Sequence, residues 1–564
     1  MALSGSKPPI LLELDLTHPL IDAEPDDSIA KLRNRGKPRL RAVLRTLHEA
    51  GDDPRVVGLI AKVGGSVIPL AIAQELRAGV RAFAATGKPT VAWSESFGES
   101  STGTVPYYLA TGFSEIWLQP SGELGLVGLM TEVTFLRGAL DKLGIEPQLD
   151  KRHEYKNAAD RIMRKEFTPE HREAVDRLVE SAWDDVVAGI AEARGLTIDQ
   201  VRALADRAPL SVTKAIDGGL IDHEGYRDEV YSAVRRTVGR DVRLLFASRW
   251  SPRPPLPERV AKLATSRNQS VVALVEGHGA IVTGRSRRSP VDGQQMGSDS
   301  IAAAFRAARN DDKVRAVVFR VDSPGGSYVA SDTIWREVGL TRAAGKPVVV
   351  SMGTVAGSGG YFVSIPADVI VAQPTTLTGS IGVFGGKPVT TGLMEKVGLS
   401  TGAVARGAHS RIFSGRIGYT DDERALLAEW LDDVYAVFVG KVAEGRGMTR
   451  EAVHEVAKGR VWTGSDAVRN GLVDTLGGLR DATAIARERA GLPTDAPVRA
   501  AVRVPVRSKL RAPRSSDDPR ASVSVSGVSV SGVSISGWGD FASVAASLGL
   551  PGGGPLLMPG VRLG

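Results

Sequence analysis

Short β-branched apolar runs alternate with amphipathic stretches along most of this chain. VVGLIAK (56–62) and TVAW (90–93) predict buried strands, as do the apolar runs 316–321 and 348–351. Between such runs lie segments of helical period, for example IAQELRAGVRAFAATG (72–87). Strands alternating with helices predict βαβ units around a parallel sheet, hence an α/β fold.

The pattern occurs twice. LIAKVGGSV followed by ATGKP in the first half matches VFRVDSPGGSY followed by AAGKP in the second. Tyr107–Gly128 parallels Tyr361–Gly382, with tyrosines 361 − 107 = 254 apart and Pro120 and Pro374 also 374 − 120 = 254 apart. Thr168-Pro169-Glu170 parallels Thr420-Asp421-Asp422-Glu423, each a helix start with threonine as N-cap; Glu423 completes a capping box. Lys214–Asp222 parallels Asp466–Asp474, where 474 − 222 = 252. The expected organisation is therefore an internal repeat: 1–248, a Pro/Arg-rich linker over 249–268, a second repeat over 269–493, and a tail over 494–564. The tail carries SVSVSGVSVSGVSISG and a Gly/Pro-rich end; its low complexity favours disorder or a tether over an edge strand.

Composition narrows the chemistry. At 564 residues the chain exceeds one core, and 42% hydrophobic with 24% charged residues is globular. Without cysteine there is no disulfide, thiolate nucleophile or cysteine metal site, and the eight histidines lack metal-ligand spacing. A net charge of +7 comes with no nucleic-acid motif, so nucleic acid is not an expected partner. Anionic lipid suits a basic face better than nucleic acid does, as a peripheral membrane contact, but a simply solvated surface is the preferred reading. MALSGSKPPILLELDLTHPL has no signal-peptide apolar region, and no run of about 18 apolar residues occurs. The expected location is cytoplasmic or at a membrane surface.

The chemistry concentrates at Ser351–Gly385. The strand at 348–351 feeds Gly353, Gly357, Gly359 and Gly360, then an apolar segment from Tyr361. A strand passing through a tight glycine turn into a helix exposes the turn residue, here Ser358, and turns free backbone N–H groups toward it. Asp322-Ser323-Pro324-Gly325-Gly326 closes the neighbouring strand and supplies a second set of glycine N–H groups, enough for an oxyanion hole. The N–H groups of Gly326 and Gly359 are the expected donors. A serine needs a base, and a Ser–His–Asp triad from His278 or His409 with Asp322 is one arrangement, although no spacing pairs them.

DSPGGS (322–327), the Ser358 turn and TGSIGVFG (378–385) together resemble the signal peptide peptidase A (protease IV) family, over nearly the whole chain apart from the tail. The resemblance implies two tandem domains of the Clp protease/crotonase-like fold and a serine endopeptidase with a Ser–Lys dyad. Its base would be Lys156, in Tyr155-Lys156-Asn157-Ala158, and Ser380 would orient that lysine. It further implies peptide substrates such as cleaved signal peptides, a homotetramer enclosing a bowl, and no cofactor. Many members carry an N-terminal membrane anchor; this sequence departs from them there, so integral membrane residence is not expected. Two other classes fit parts of the pattern: a crotonase-like acyl-CoA enzyme, which also uses glycine N–H oxyanion holes, and a non-catalytic pseudoprotease scaffold.

The copies divide these residues. At offset 254 Ser358 corresponds to Thr104, Gly359 and Gly360 to Val105 and Pro106, and Ser380 to Leu126. The counterpart of Lys156 falls in Ala408–Ser410, which holds no lysine; nearby Arg411 stays protonated. Base and nucleophile are thus expected from different copies.

Overall fold

A computed structural model describes residues 8–18, 20, 39–65, 68–99, 102–239, 241–252, 269–289, 293–501 and 556–558. It divides into two compact units. One comprises Met1–Thr131, Val179–Arg267 and Arg562–Gly564; the other comprises Glu132–Leu178 and Asn268–Val561. Residues 132–178, from the first half of the sequence, therefore fold with the second repeat. Most of the Pro/Arg-rich join and the Ser/Val alternation at 522–537 lie outside the described residues.

The first unit contains a six-stranded sheet in the order His223–Glu224, Glu115–Leu118, Thr90–Ser94, Val56–Val63, Ile10–Leu16, Arg243–Phe246. Every pairing is parallel. Thr90–Ser94 is buried along its whole length, as expected of a strand covered on both faces.

The second unit repeats that sheet. Its order is Val461–Thr463, Leu377–Gly379, Val348–Gly357, Val314–Ser323, Val271–His278, Val498–Ala500, with Val369–Ala372 also on Val348–Gly357 and carrying Thr475–Leu476. Only the pair formed by Leu377–Gly379 and Val461–Thr463 is antiparallel. The likeness reaches individual bonds. Leu59 lies opposite Thr90, and Val317 opposite Val348; both residues are offset by 258 (317 − 59 and 348 − 90). The register slips after Ile10 in one copy and after Val271 in the other. Buried Tyr107 and Tyr361 donate to the carbonyls of Leu220 and Leu472. Arg194 grips Asp222, and Arg446 grips Asp474, at 2.7 Å each. The chain thus has an α/β fold made of two repeats of one parallel-sheet unit.

Three further features frame the site. Phe384–Val389 pairs antiparallel with Glu146–Lys151, which ties 132–178 to the second repeat. A small sheet runs Arg287–Ser289, Gly293–Gly297, Ala280–Val282, Gly325–Gly326, Leu556–Leu557. Two pieces of the tail are therefore strands of this unit: Val498–Ala500 on the main sheet and Leu556–Leu557 on the small one. Among the described residues no helix is long and apolar enough to cross a membrane.

Candidate active site

Ser358 sits where the strand Val348–Gly357 ends and the short helix Gly359–Phe362 begins. Its backbone is left-handed, φ 53° and ψ −112°, a conformation that costs a non-glycine residue about 1–3 kcal/mol. The turn is held by the Ser358 N–H donating to the Gly379 carbonyl at 2.8 Å. Glycine follows because space is absent: a Cβ on Gly360 would meet the Ser323 carbonyl oxygen at 2.5 Å. Ser380 is left-handed as well (φ 52°), and its N–H donates to the Arg460 carbonyl at 2.7 Å.

Lys156 reaches these serines from the ribbon formed with Phe384–Val389. Beyond that pairing, Arg152 N–H donates to Val383 O at 3.0 Å and Tyr155 N–H to Lys458 O at 3.2 Å, so the chain stays beside 381–383. Lys156 Nζ then lies 2.9 Å from Ser358 Oγ, 3.0 Å from Ser380 Oγ and 3.1 Å from the Ser380 carbonyl oxygen. All three side chains are fully buried. The lysine stem runs between glycines: a Cβ on Gly382 would lie 3.2 Å from Lys156 Cδ, and one on Gly459 within 2.7 Å of the Lys156 backbone.

Burial holds the Lys156 ammonium well below the ordinary lysine range, with no carboxylate acting against it. The buried acid four residues on, Asp160, is paired with Lys151 at 2.8 Å. Nζ donates in all three contacts; a neutral amine would keep two N–H donors for Ser380 and turn its lone pair to the Ser358 hydroxyl proton.

Gly326 and Gly359 come together. A Cβ on Gly359 would fall 3.0 Å from Gly325 Cα and 3.2 Å from Gly326 N, so the two glycine turns share one wall. As the first residue of its helix, Gly359 has an N–H with no intrahelical acceptor. The histidines stand apart from this cluster. His409 is exposed. His278 pairs in register with Asp322, whose carboxylate accepts from Val355 N–H at 3.0 Å. No hydrogen bond joins either histidine to Ser358 among the described residues.

The first repeat has lost the site more thoroughly than a fixed offset indicates. There Gly103 N–H donates to Gly125 O at 2.9 Å and Gly103 caps the helix Thr104–Ala110. Gly103 thus takes the place of Ser358, and Thr104 lies one residue further on, donating to the Gly128 carbonyl. Sequence reasoning missed Gly459, Arg460 and Met558, the last with its sulfur against Gly357. The first two hold the lysine and Ser380 from a loop without a motif; the only signal was a glycine within Lys458-Gly459-Arg460, where Lys458 and Gly459 are both left-handed (φ 53° and 84°).

The fold is a parallel α/β unit in which a turn serine is hydrogen-bonded to a buried lysine. The model of peptidase family S49 matches residues 82–241 and 341–493, one segment in each repeat, and the chain belongs to that family. "Serine protease SPPA, chloroplastic" of Arabidopsis thaliana is 32% identical over 448 residues, 79% of this chain and 65% of the relative. "Protease 4" of Salmonella typhi is 31% identical over 466 residues, covering 80% and 72%, and "Protease 4" of Haemophilus influenzae is 30% identical over 475 residues, covering 81% and 74%. The match with the Arabidopsis protein thus spans just under two thirds of that relative's length. Among solved structures, a mutant ClpP1 of Listeria monocytogenes aligns with 40% of this chain and 99% of its own, at 13% identity and a TM-score of 0.24.

Proposed function

We propose that this chain is a serine endopeptidase in which Ser358 is the nucleophile and Lys156 the general base. The observation that carries the reading is the 2.9 Å contact between a fully buried lysine and a serine held at a strained turn. Neutral Lys156 accepts the Ser358 proton as Oγ attacks the scissile carbonyl. The oxyanion forms against the N–H groups of Gly359 and Gly326. The Lys156 ammonium returns its proton to the leaving amine, and the acyl-enzyme is hydrolysed by a water that Lys156 deprotonates in turn. Ser380 positions Lys156 through its hydroxyl and carbonyl oxygens. Substrates are unfolded peptides with small or apolar side chains near the scissile bond, cleaved signal peptides among them, and the working form is a homo-oligomer. Both roles belong to one compact unit, because residues 132–178 fold with the second repeat.

A serine-reactive fluorophosphonate tests this directly. Wild-type chain is labelled at Ser358 and hydrolyses a short peptide; Ser358→Ala does neither while remaining folded. Lys156→Arg is as inactive as Lys156→Ala, because guanidinium keeps its proton. Activity in Lys156→Arg within tenfold of wild type would remove the lysine from the role of base.

A further inference from the structure

Arg460 takes no part in the chemistry, yet its backbone and its side chain reach opposite sides of the lysine. Its carbonyl accepts the Ser380 N–H at 2.7 Å and so holds Ser380 in its left-handed turn (φ 52°). Its side chain goes to the residue before the base. The guanidinium carbon lies 4.9 Å from the centre of the Tyr155 ring and 4.3 Å from that of Trp462. A planar cation stacks on such rings in a way that the compact ammonium of lysine does not.

The partners of this guanidinium are themselves fixed. Trp462 lies opposite Thr378 in the antiparallel pair, and its indole Nε1 donates to the Val456 carbonyl at 2.8 Å. A Cβ on Gly379, the residue before Ser380, would lie 3.0 Å from the Trp462 ring. Arg460 Nη2 donates to Glu173 Oε1 at 2.6 Å, which aims the guanidinium from the helix that begins at Pro169. Glu173 is 51% exposed and Arg460 15%, so water screens the ion pair and the stack on the two partly buried rings is the firmer contact. The loop has backbone supports of its own. Gly459 N–H donates to Ile381 O and Arg460 N–H to Ala457 O, both at 2.8 Å, and Lys458 N–H donates to the Tyr435 hydroxyl at 3.4 Å. Truncating the Arg460 side chain therefore leaves the path of the loop in place and cuts the tie between Tyr155 and the Ser380 turn.

We infer that Arg460 is a positioning residue for the Ser–Lys pair: its carbonyl sets Ser380 and its guanidinium sets Tyr155, so that Lys156 Nζ meets both serines at once. The inference rests on the serine-peptidase reading. It predicts an effect on turnover and not on peptide binding, because the groups that Arg460 contacts are those that hold the base.

The test uses the full chain. Arg460→Met removes the planar cation and keeps the carbonyl that Ser380 needs. For a short chromogenic peptide kcat should fall about tenfold or more, with KM within about twofold of wild type, as expected of a base displaced by a fraction of an ångström. Fluorophosphonate labelling of Ser358 should slow by the same factor. Arg460→Lys keeps the charge and should recover part of the loss. Glu173→Gln leaves the stack intact and should cost no more than about threefold. In a Ser380→Ala background Arg460→Met should cost less than it does in wild type, since both substitutions act through the position of Lys156. Each variant is melted, and rates are compared well below the lowest midpoint. Wild-type kcat and labelling in a folded Arg460→Met would overturn the inference and leave Arg460 a stabilising residue, as would a loss fully additive with that of Ser380→Ala. If Arg460→Met does not fold, Tyr155→Leu takes its place: it strips one face of the stack, carries the same expectation, and overturns the inference if its kcat and labelling match wild type. A wild-type chain whose Ser358 is not labelled at all would remove the peptidase reading, and the inference with it.

Discussion

Gly459→Ala is a sharp probe of how the lysine is held. Gly459 is not part of the chemistry, yet its Cα lies against the Lys156 backbone, and its φ of 84° is one that alanine resists. An added Cβ would sit 2.6 Å from Lys156 N and 2.7 Å from both its Cα and its Cβ. Relaxing those contacts to about 3.5 Å requires a separation of roughly 0.8 Å. Lys156 Nζ has no such slack: its bonds to Ser358 and Ser380 are already 2.9–3.1 Å, and a shift of that size breaks at least one. Misplacement near 1 Å costs a catalytic group on the order of 10²-fold. The left-handed backbone adds about 1–2 kcal/mol against folding. The expected result is kcat for a short peptide down about a hundredfold, with KM nearly unchanged, because the atoms that an added Cβ meets are those of Lys156. Fluorophosphonate labelling of Ser358 should slow in proportion. The assay pairs steady-state kinetics with a thermal melt, so that activity is compared well below the lowered melting temperature. A folded Gly459→Ala with kcat within threefold of wild type would refute the reasoning, since Lys156 would then tolerate displacement and could not be a positioned base.

Two further outcomes follow from the buried lysine. Activity should rise with pH through one ionisation whose midpoint lies below that of free lysine, about 10.4, because only the neutral amine accepts the serine proton; a flat profile in that range would exclude Lys156 as the titrating base. Lys156→Met should melt a few degrees higher than wild type near neutral pH, measured by calorimetry. The unfolded chain holds a proton that the folded lysine gives up, so wild-type stability rises with pH between the folded midpoint and the ordinary lysine range. The gap between the two proteins should therefore narrow as pH increases; a gap that widens would mean the ammonium is stabilised inside the fold.

Period and repetition, legible in the sequence, determined the α/β class and the doubled unit, because strand and helix patterns and glycine turns are local properties. Ser358 was legible for the same reason: a serine between glycines at the end of an apolar run has few other geometries open to it. Lys156 was found through its resemblance to a family segment, since a lone lysine carries no local sign of burial. What makes it chemically special, complete desolvation beside two serines from a segment some 200 residues away, arises only when Glu146–Lys151 pairs with Phe384–Val389. The same limit applies to Gly459 under the lysine stem and to Gly103 in place of Ser358 in the first repeat. Met558 is the clearest case. In sequence it is an apolar residue in a Gly/Pro-rich end; its place against Gly357 is decided by the pairing of two glycines with a strand more than 200 residues downstream. Local pattern fixes which elements form, but close approach between distant backbones is a property of packing, and this site is built from such approaches.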